Sequence, residues 1–296
     1  MSRALRRSRF GLRPAALAHG PGPLRSDRLP AWLHNTLAAT LLALGTVGAH
    51  AGRSCDGRPP SVDAVQRGMA LAQRTAAALD ASGAQVVVLA RAGQDLSAYG
   101  LRWSHLGLAY RESASTGIGK PATWRVVHKL NQCGTAQAAI YRQGLGEFFL
   151  DDPFEYEAAI VVLAPDVQSR MLAALRDNTG VAALNTPAYS MVAYPWAQTY
   201  QQSNQWAIET LALTQDAQAR SRERAQAWLK LKGYEPGTLK ISAMKRLGAR
   251  MTAANVAFDD HPNDKRFSDR IETVTVDSVF AWLARSGLGG PVQVVR

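Results

Sequence analysis

The sequence predicts an α+β fold, an antiparallel sheet with helices packed on it, preceded by a basic leader. Three observations carry that expectation. Short β-branched runs interleave with stretches of helical period, and no internal repeat is present. Hydrophobic residues make up 47% of the 296 residues and charged residues 19%, which excludes a disordered chain and suffices for a core without metal or many disulfides. The positive charge is concentrated at the N-terminus, ahead of a short apolar run.

That N-terminal segment is read first. Arg3, Arg6, Arg7, Arg9, Arg13, Arg25 and Arg28, against the single acid Asp27, precede the apolar run Leu37 to Val47 and the small-residue end Gly48-Ala49-His50-Ala51. A basic stretch, a short apolar core and a small-x-small end make the pattern of a secretory signal peptide. The run is shorter than the roughly 20 residues a bilayer span requires. Cleavage is expected after Ala51, which makes residues 1–51 the leader and 52–296 a single α+β domain; an uncleaved amphipathic anchor is the alternative. Gly52-Arg53-Ser54-Cys55 lacks the residues expected before a lipidated cysteine, and Arg6-Arg7 lies too far from the apolar run for a twin-arginine signal. The leader holds +6 of the chain's +11, so the remaining +5 is an ordinary surplus for a soluble protein. A periplasmic or secreted location follows, with an unidentified envelope ligand or protein as partner, no nucleic acid, no transmembrane segment in the mature chain and no cofactor.

The elements follow in order. Val62, Val65, Met69, Ala72, Ala76 and Leu79 recur at helical spacing, and Ser82-Gly83 stops that helix. Val86-Val87-Val88-Leu89 is a buried-strand run within 85–91. Strands are expected over 105–111, 124–130 and 158–163, with a short helix over 135–143 and another over 167–176. Residues 189–194 read as a strand broken by Pro195. Ser203 opens a helix to Leu213 as a favoured N-cap, and a charge-rich helix runs from Ala217 to Leu231. The tail holds a strand at 274–276, a helix at 277–285 and a strand at 292–295.

Candidate chemistry is sparse. Cys55 and Cys133 are the only cysteines; in an oxidising compartment they are expected to pair, the alternative being a reactive Cys133 between a strand and a helix. His105, His128 and His261 are the only histidines after the leader. His105 opens one strand and His128 lies in the next, so the two imidazoles can meet on a shared face. Ser203, at a helix N-terminus, suits an activated nucleophile, while its plain reading is an N-cap.

Ser104-His105-Leu106-Gly107, Tyr194-Pro195-Trp196, Ser203-Asn204-Gln205-Trp206, Asp259-Asp260-His261-Pro262 and Val276-Asp277-Ser278-Val279 resemble a secreted proteobacterial family known as domain of unknown function 2145. The order of elements is also similar to the permuted NlpC-type papain-like superfamily: a histidine at a strand start, a polar residue on the next strand, a nucleophilic cysteine at a helix start. That resemblance implies a papain-like fold and places the three roles on His105, His128 and Ser203, or on Asn204 with a one-residue shift. The position has no cysteine, and a serine hydroxyl needs a base to remove its proton during attack. A groove kept for binding therefore competes with a Ser203/His105/His128 hydrolase or acyl transferase acting on amide or ester bonds of envelope material.

Asp259, Asp260 and His261 offer oxygen and imidazole donors for a divalent metal, or His261 folds back towards His105. Arg220, Arg222, Arg224, Lys230 and Lys232, followed by Lys240, Lys245, Arg246 and Arg250, form the most basic stretch, suited to anionic lipid or polymer or simply to solvent.

Overall fold

Ser61 caps the first helix, α1 (Val62–Ala81), its hydroxyl accepting the Ala64 N–H at 3.1 Å. The computed structural model describes residues 59–112, 123–150 and 153–296. The helix is the expected one, but its buried face is Ala64, Gly68, Leu71, Ala72, Thr75 and Leu79, and Val62 and Met69 point to solvent. Gly68 sets that face. A Cβ there would stand 2.9 Å from the Phe149 carbonyl oxygen, so glycine lets α1 close on α2 (Leu145–Phe149).

The strands β1 (Val86–Ala92), β2 (His105–Glu112), β3 (Thr123–Asn131), β4 (Ala138–Gly144) and β5 (Glu155–Val162) join a C-terminal strand, β8 (Gln293–Val295). They form one antiparallel sheet in the order β4-β3-β2-β1-β5-β8. The α+β expectation holds. β1 lies inside the sheet and is buried at all seven positions, its apolar run Val86–Ala90 followed by the buried Arg91. Between β5 and β8 come α3 (Pro165–Arg176), α4 (Asn178–Ala182), α5 (Ser203–Gln215), α6 (Arg222–Leu231), β6 (Gly237–Lys240), α7 (Ala243–Thr252), α8 (Asn263–Phe267), β7 (Arg270–Thr273) and α9 (Val276–Arg285). β6 and β7 make a separate antiparallel pair.

Alternation along the strands gives the sheet two cores. Val86, Val88, Leu106, Leu108, Tyr110, Val127 and Val161 pack under α3, α5 and α9. Val87, Leu89, Ala109, Trp124, Val126 and Ile160 pack under α1 and α2.

Four elements differ from expectation. Residues 135–143, read as a helix, supply β4, because the 131–138 turn, with Gly134 at φ +69°, folds them back on β3 from Asn131↔Ala138 to Arg125↔Gly144. Sheet pairing overrides the helix preference of their alanines. Residues 189–194 are not a strand. Their backbone bonds instead to loops, Tyr189 N–H to the Ala136 carbonyl and Met191 N–H to the Asn255 carbonyl. The strand expected at 274–276 ends earlier, as β7, because the Thr275 hydroxyl accepts the Ser278 N–H and starts α9. The charge-rich helix begins at Arg222, capped by Ser221, five residues later than read. Among the described residues no helix is long and apolar enough to cross a membrane.

Candidate functional site

β2 and β3 pair only from Leu108↔Val127 to Glu112↔Thr123. Beyond that point β2 stays with β1 (Arg91↔His105) and β3 with β4 (His128↔Tyr141), so the two strands part and side chains fill the gap. Asn204, the second residue of α5, enters it. Its Oδ1 accepts the Leu106 N–H at 3.1 Å and its Nδ2 donates to the Val274 carbonyl at 3.0 Å. A carboxamide carries both an acceptor and donors, so one side chain replaces a missing strand partner and ties down a loop.

On the α1/α2 side of the same opening, His105 Nε2 lies 2.9 Å from His128 Nδ1, and His128 Nε2 lies 2.8 Å from Gln143 Oε1. The Gln143 oxygen must accept, so His128 Nε2 carries a hydrogen and its Nδ1 a lone pair. His105 Nε2–H therefore donates to His128. Phe148 closes on both rings, at 5.9 and 5.2 Å between centroids. Burial, and then the Arg91 guanidinium, push His128 down to about 3; burial, Arg91 and His128 push His105 well below the usual histidine range. The pair is neutral near pH 7. Gly107 stands opposite His128, and a Cβ on it would lie 2.6 Å from Val126 Cγ1 and 3.2 Å from His128 Cβ.

Ser203 is not part of this pair. Its hydroxyl lies 3.3 Å from the Tyr189 hydroxyl, and among the described residues no hydrogen bond joins it to either histidine. Pleat parity gives the reason. α5 covers the face bearing Leu106 and Leu108, whereas the His105 and His128 rings belong with Phe148 on the other face. The structure thus brings together two of the three expected catalytic residues and gives the third a different partner; the one-residue alternative, Asn204, is the residue that reaches β2.

Asp259, Asp260 and His261, the residues expected to hold a metal, are bonded to other groups of the chain. His261 Nδ1 faces Asp260 Oδ1 and its Nε2 faces the Glu272 carbonyl, both at 2.9 Å, while Asp260 Oδ2 accepts the Tyr194 N–H. Asp259 instead faces the Tyr200 hydroxyl. No group of three His, Cys, Asp or Glu among the described residues can hold a metal ion. His261 braces β7 against the 194–195 loop and does not meet His105. Cys133 lies in the β3–β4 turn, away from any helix start, so the reactive-thiol argument loses its basis; no described cysteine is free, and Cys55 lies outside the described residues.

Sequence reasoning missed a buried polar network beneath α5. Glu209 accepts from Arg222 Nε at 2.9 Å, Gln201 Nε2 at 2.6 Å and Gln226 Nε2 at 2.7 Å. Every contact is a donor, which suits an ionised carboxylate. Burial pushes Glu209 up and Arg222 pulls it back. Lys129 Nζ donates to the Thr186 carbonyl and to Gln201 Oε1, and burial, with Arg222 adding to it, lowers this lysine to about 7. The available signal was a lysine within a strand run and a glutamate within an apolar helix.

On the other side of Asn204 lies a cavity of about 210 Å³. Its wall is mainly apolar, from Leu96, Tyr99, Leu101, Trp103, Val192, Leu239, Ile241 and Phe258, with Ser104, Gln202, Asn204, Thr273 and Thr275 as polar members and Lys245 and Ala249 contributed by α7. Gln202 is buried as the N-cap of α5, and its Oε1 has no side-chain partner.

With this geometry established, the comparisons define the class. The family model described as "Uncharacterized protein conserved in bacteria (DUF2145)" matches residues 78–283. The chain belongs to that bacterial family. No curated protein and no solved structure matches it.

Proposed function

We propose that this protein is exported and works by non-covalent binding, its cavity taking a small apolar molecule that carries one hydrogen-bond donor. The observation behind this reading is the cavity's mainly apolar wall, in which Gln202 is a buried polar side chain whose Oε1 has no side-chain partner. A buried polar group normally finds a partner, and a ligand N–H or O–H would supply it. At roughly 30 Å³ per water-sized group, the cavity suits a ligand of about seven heavy atoms. The export part rests on the basic leader and the expected cut after Ala51, and with it goes a Cys55–Cys133 disulfide.

Calorimetric titration with 1-hexanol and with 1-methoxypentane, which has the same heavy-atom count and no donor, tests the reading. The alcohol is expected to bind about fivefold tighter, with a negative heat-capacity change, and Gln202→Leu should erase that preference. Ala249→Trp, which fills the space, should abolish binding of both. Binding unaffected by Ala249→Trp, or none by the wild type, would overturn it. Intact mass of protein recovered from the cell envelope should correspond to residues 52–296, two hydrogens lighter than the dithiol.

A further inference from the structure

Among the residues lining the cavity beside Asn204, Lys245 is the one that carries a charge. Buried Trp103, Leu239, Ile241 and Phe258 form the interior, while Gln94, Tyr99 and Lys245 are exposed and mark the mouth. Arg246, the next residue of α7, is turned in and held by Asp269 Oδ1 at 2.6 Å. Lys245 has no such partner: among the described residues no hydrogen bond or ion pair holds its ammonium. Nor does it help the helix. It stands in the first turn of α7, where the helix dipole is positive and a cation is unfavourable.

We propose that the ligand of this cavity is an amphipathic monocarboxylate, its apolar body inside and its carboxylate at the mouth against Lys245, an inference that rests on the cavity reading above and adds a charge to it. A cation at the rim of an apolar chamber matches an anion at one end of an apolar chain. The charge keeps its water at the mouth while the chain leaves water, so neither an unpaired ion nor bare hydrocarbon is left in the wrong medium. One ammonium balances one carboxylate; a phosphate group, with up to two charges and three acceptor oxygens, would be under-matched by a single lysine. A cavity of about 210 Å³ holds roughly seven heavy atoms. A six-carbon chain ending in the hydroxyl that meets Gln202 fills that space and leaves the carboxylate oxygens outside it, and 6-hydroxyhexanoate has that composition.

Calorimetric titration with 6-hydroxyhexanoate and with 6-hydroxyhexanamide, which has the same heavy-atom count and no charge, tests this, with 1-hexanol in parallel. At low salt the acid is expected to bind about three- to fivefold tighter than the amide, a margin that added salt reduces. Lys245→Met, which keeps the length and removes the charge, should erase that margin, and Lys245→Glu should reverse it. Arg250→Met, at an exposed cation of the same helix that does not line the cavity, should leave it in place. The inference fails if 1-hexanol binds and the acid is no tighter than the amide, if Lys245→Met keeps the margin, or if Arg250→Met loses it equally; the cavity reading then stands. If none of the three ligands binds, the cavity reading fails and this inference with it.

Discussion

On the α1/α2 face of the sheet, His105 and His128 are packed against Phe148 and kept neutral, whereas on the α5 face Glu209 and Arg222 are buried as an ion pair. An imidazole sheds its proton near neutral pH, so burial simply discharges it and two rings can satisfy each other. A guanidinium does not deprotonate in proteins, so the other face needs a carboxylate and several carbonyls around it. Arg222 accordingly donates to Glu209 and to the carbonyls of Ala197, Gln198 and Tyr200. Lys129 falls between the two solutions, lowered to about 7 by burial. The two imidazoles of the first face can therefore be charged by acid, whereas the Arg222 guanidinium of the second stays charged and depends on its carboxylate.

The largest effect expected from that contrast is on the α5 face. Arg222→Met leaves Glu209 buried without its cation and should cost about 3–5 kcal/mol in denaturant unfolding, much of it recovered by adding Glu209→Leu. A single variant as stable as the double would erase the distinction between the faces. Next is acid sensitivity of the histidine face. Both folded-state pKa values lie below the ordinary 6.5, so the folded protein binds fewer protons than the unfolded chain. Stability is complete above about 6.5 and falls below it, for His128 down to about 3, at up to roughly 1.4 kcal/mol per pH unit. Melting temperature against pH should show this slope, and His128→Gln should flatten it; an unchanged slope would assign it elsewhere. Gly107→Ala, which drives a methyl towards Val126 and His128, should cost about 1–3 kcal/mol. The smallest effect is Ser203→Ala, about 1 kcal/mol from the lost Tyr189 contact. A serine-directed fluorophosphonate should leave Ser203 unlabelled in the wild type; labelling that Ser203→Ala abolishes would restore the hydrolase reading.

Periodicity and punctuation carried much of the fold. The helix starts at Val62 and Ser203, the strand start at His105 and the apolar run of β1 were legible because a period or an unbroken run decides each of them locally, although Gln202 and not Ser203 caps α5. β4 was not, because its alanines favour a helix and only the open edge of β3 makes them a strand. The site divides in the same way. That His105 and His128 meet was legible from neighbouring strands. That Ser203 does not join them depends on which sheet face α5 covers, and strand spacing near His105 cannot say that. The role of Asn204 arises from a contact across 98 residues, to Leu106, and those of Gln143 and Glu209 from side-chain pairings that periodicity does not show.

That reach has a consequence for when the molecule can fold. Asn204 works as a peg in the β2–β3 opening, and its second bond needs Val274, 70 residues further on. A slip of one residue in β2 would exchange its two faces, and the peg fixes the strand against such a slip. The sheet cannot lock its register until α5 and the start of α9 have been made, long after β2. Loops this long close slowly. The sheet should therefore be completed only after α9 has been made, with β8 then closing the β5 edge.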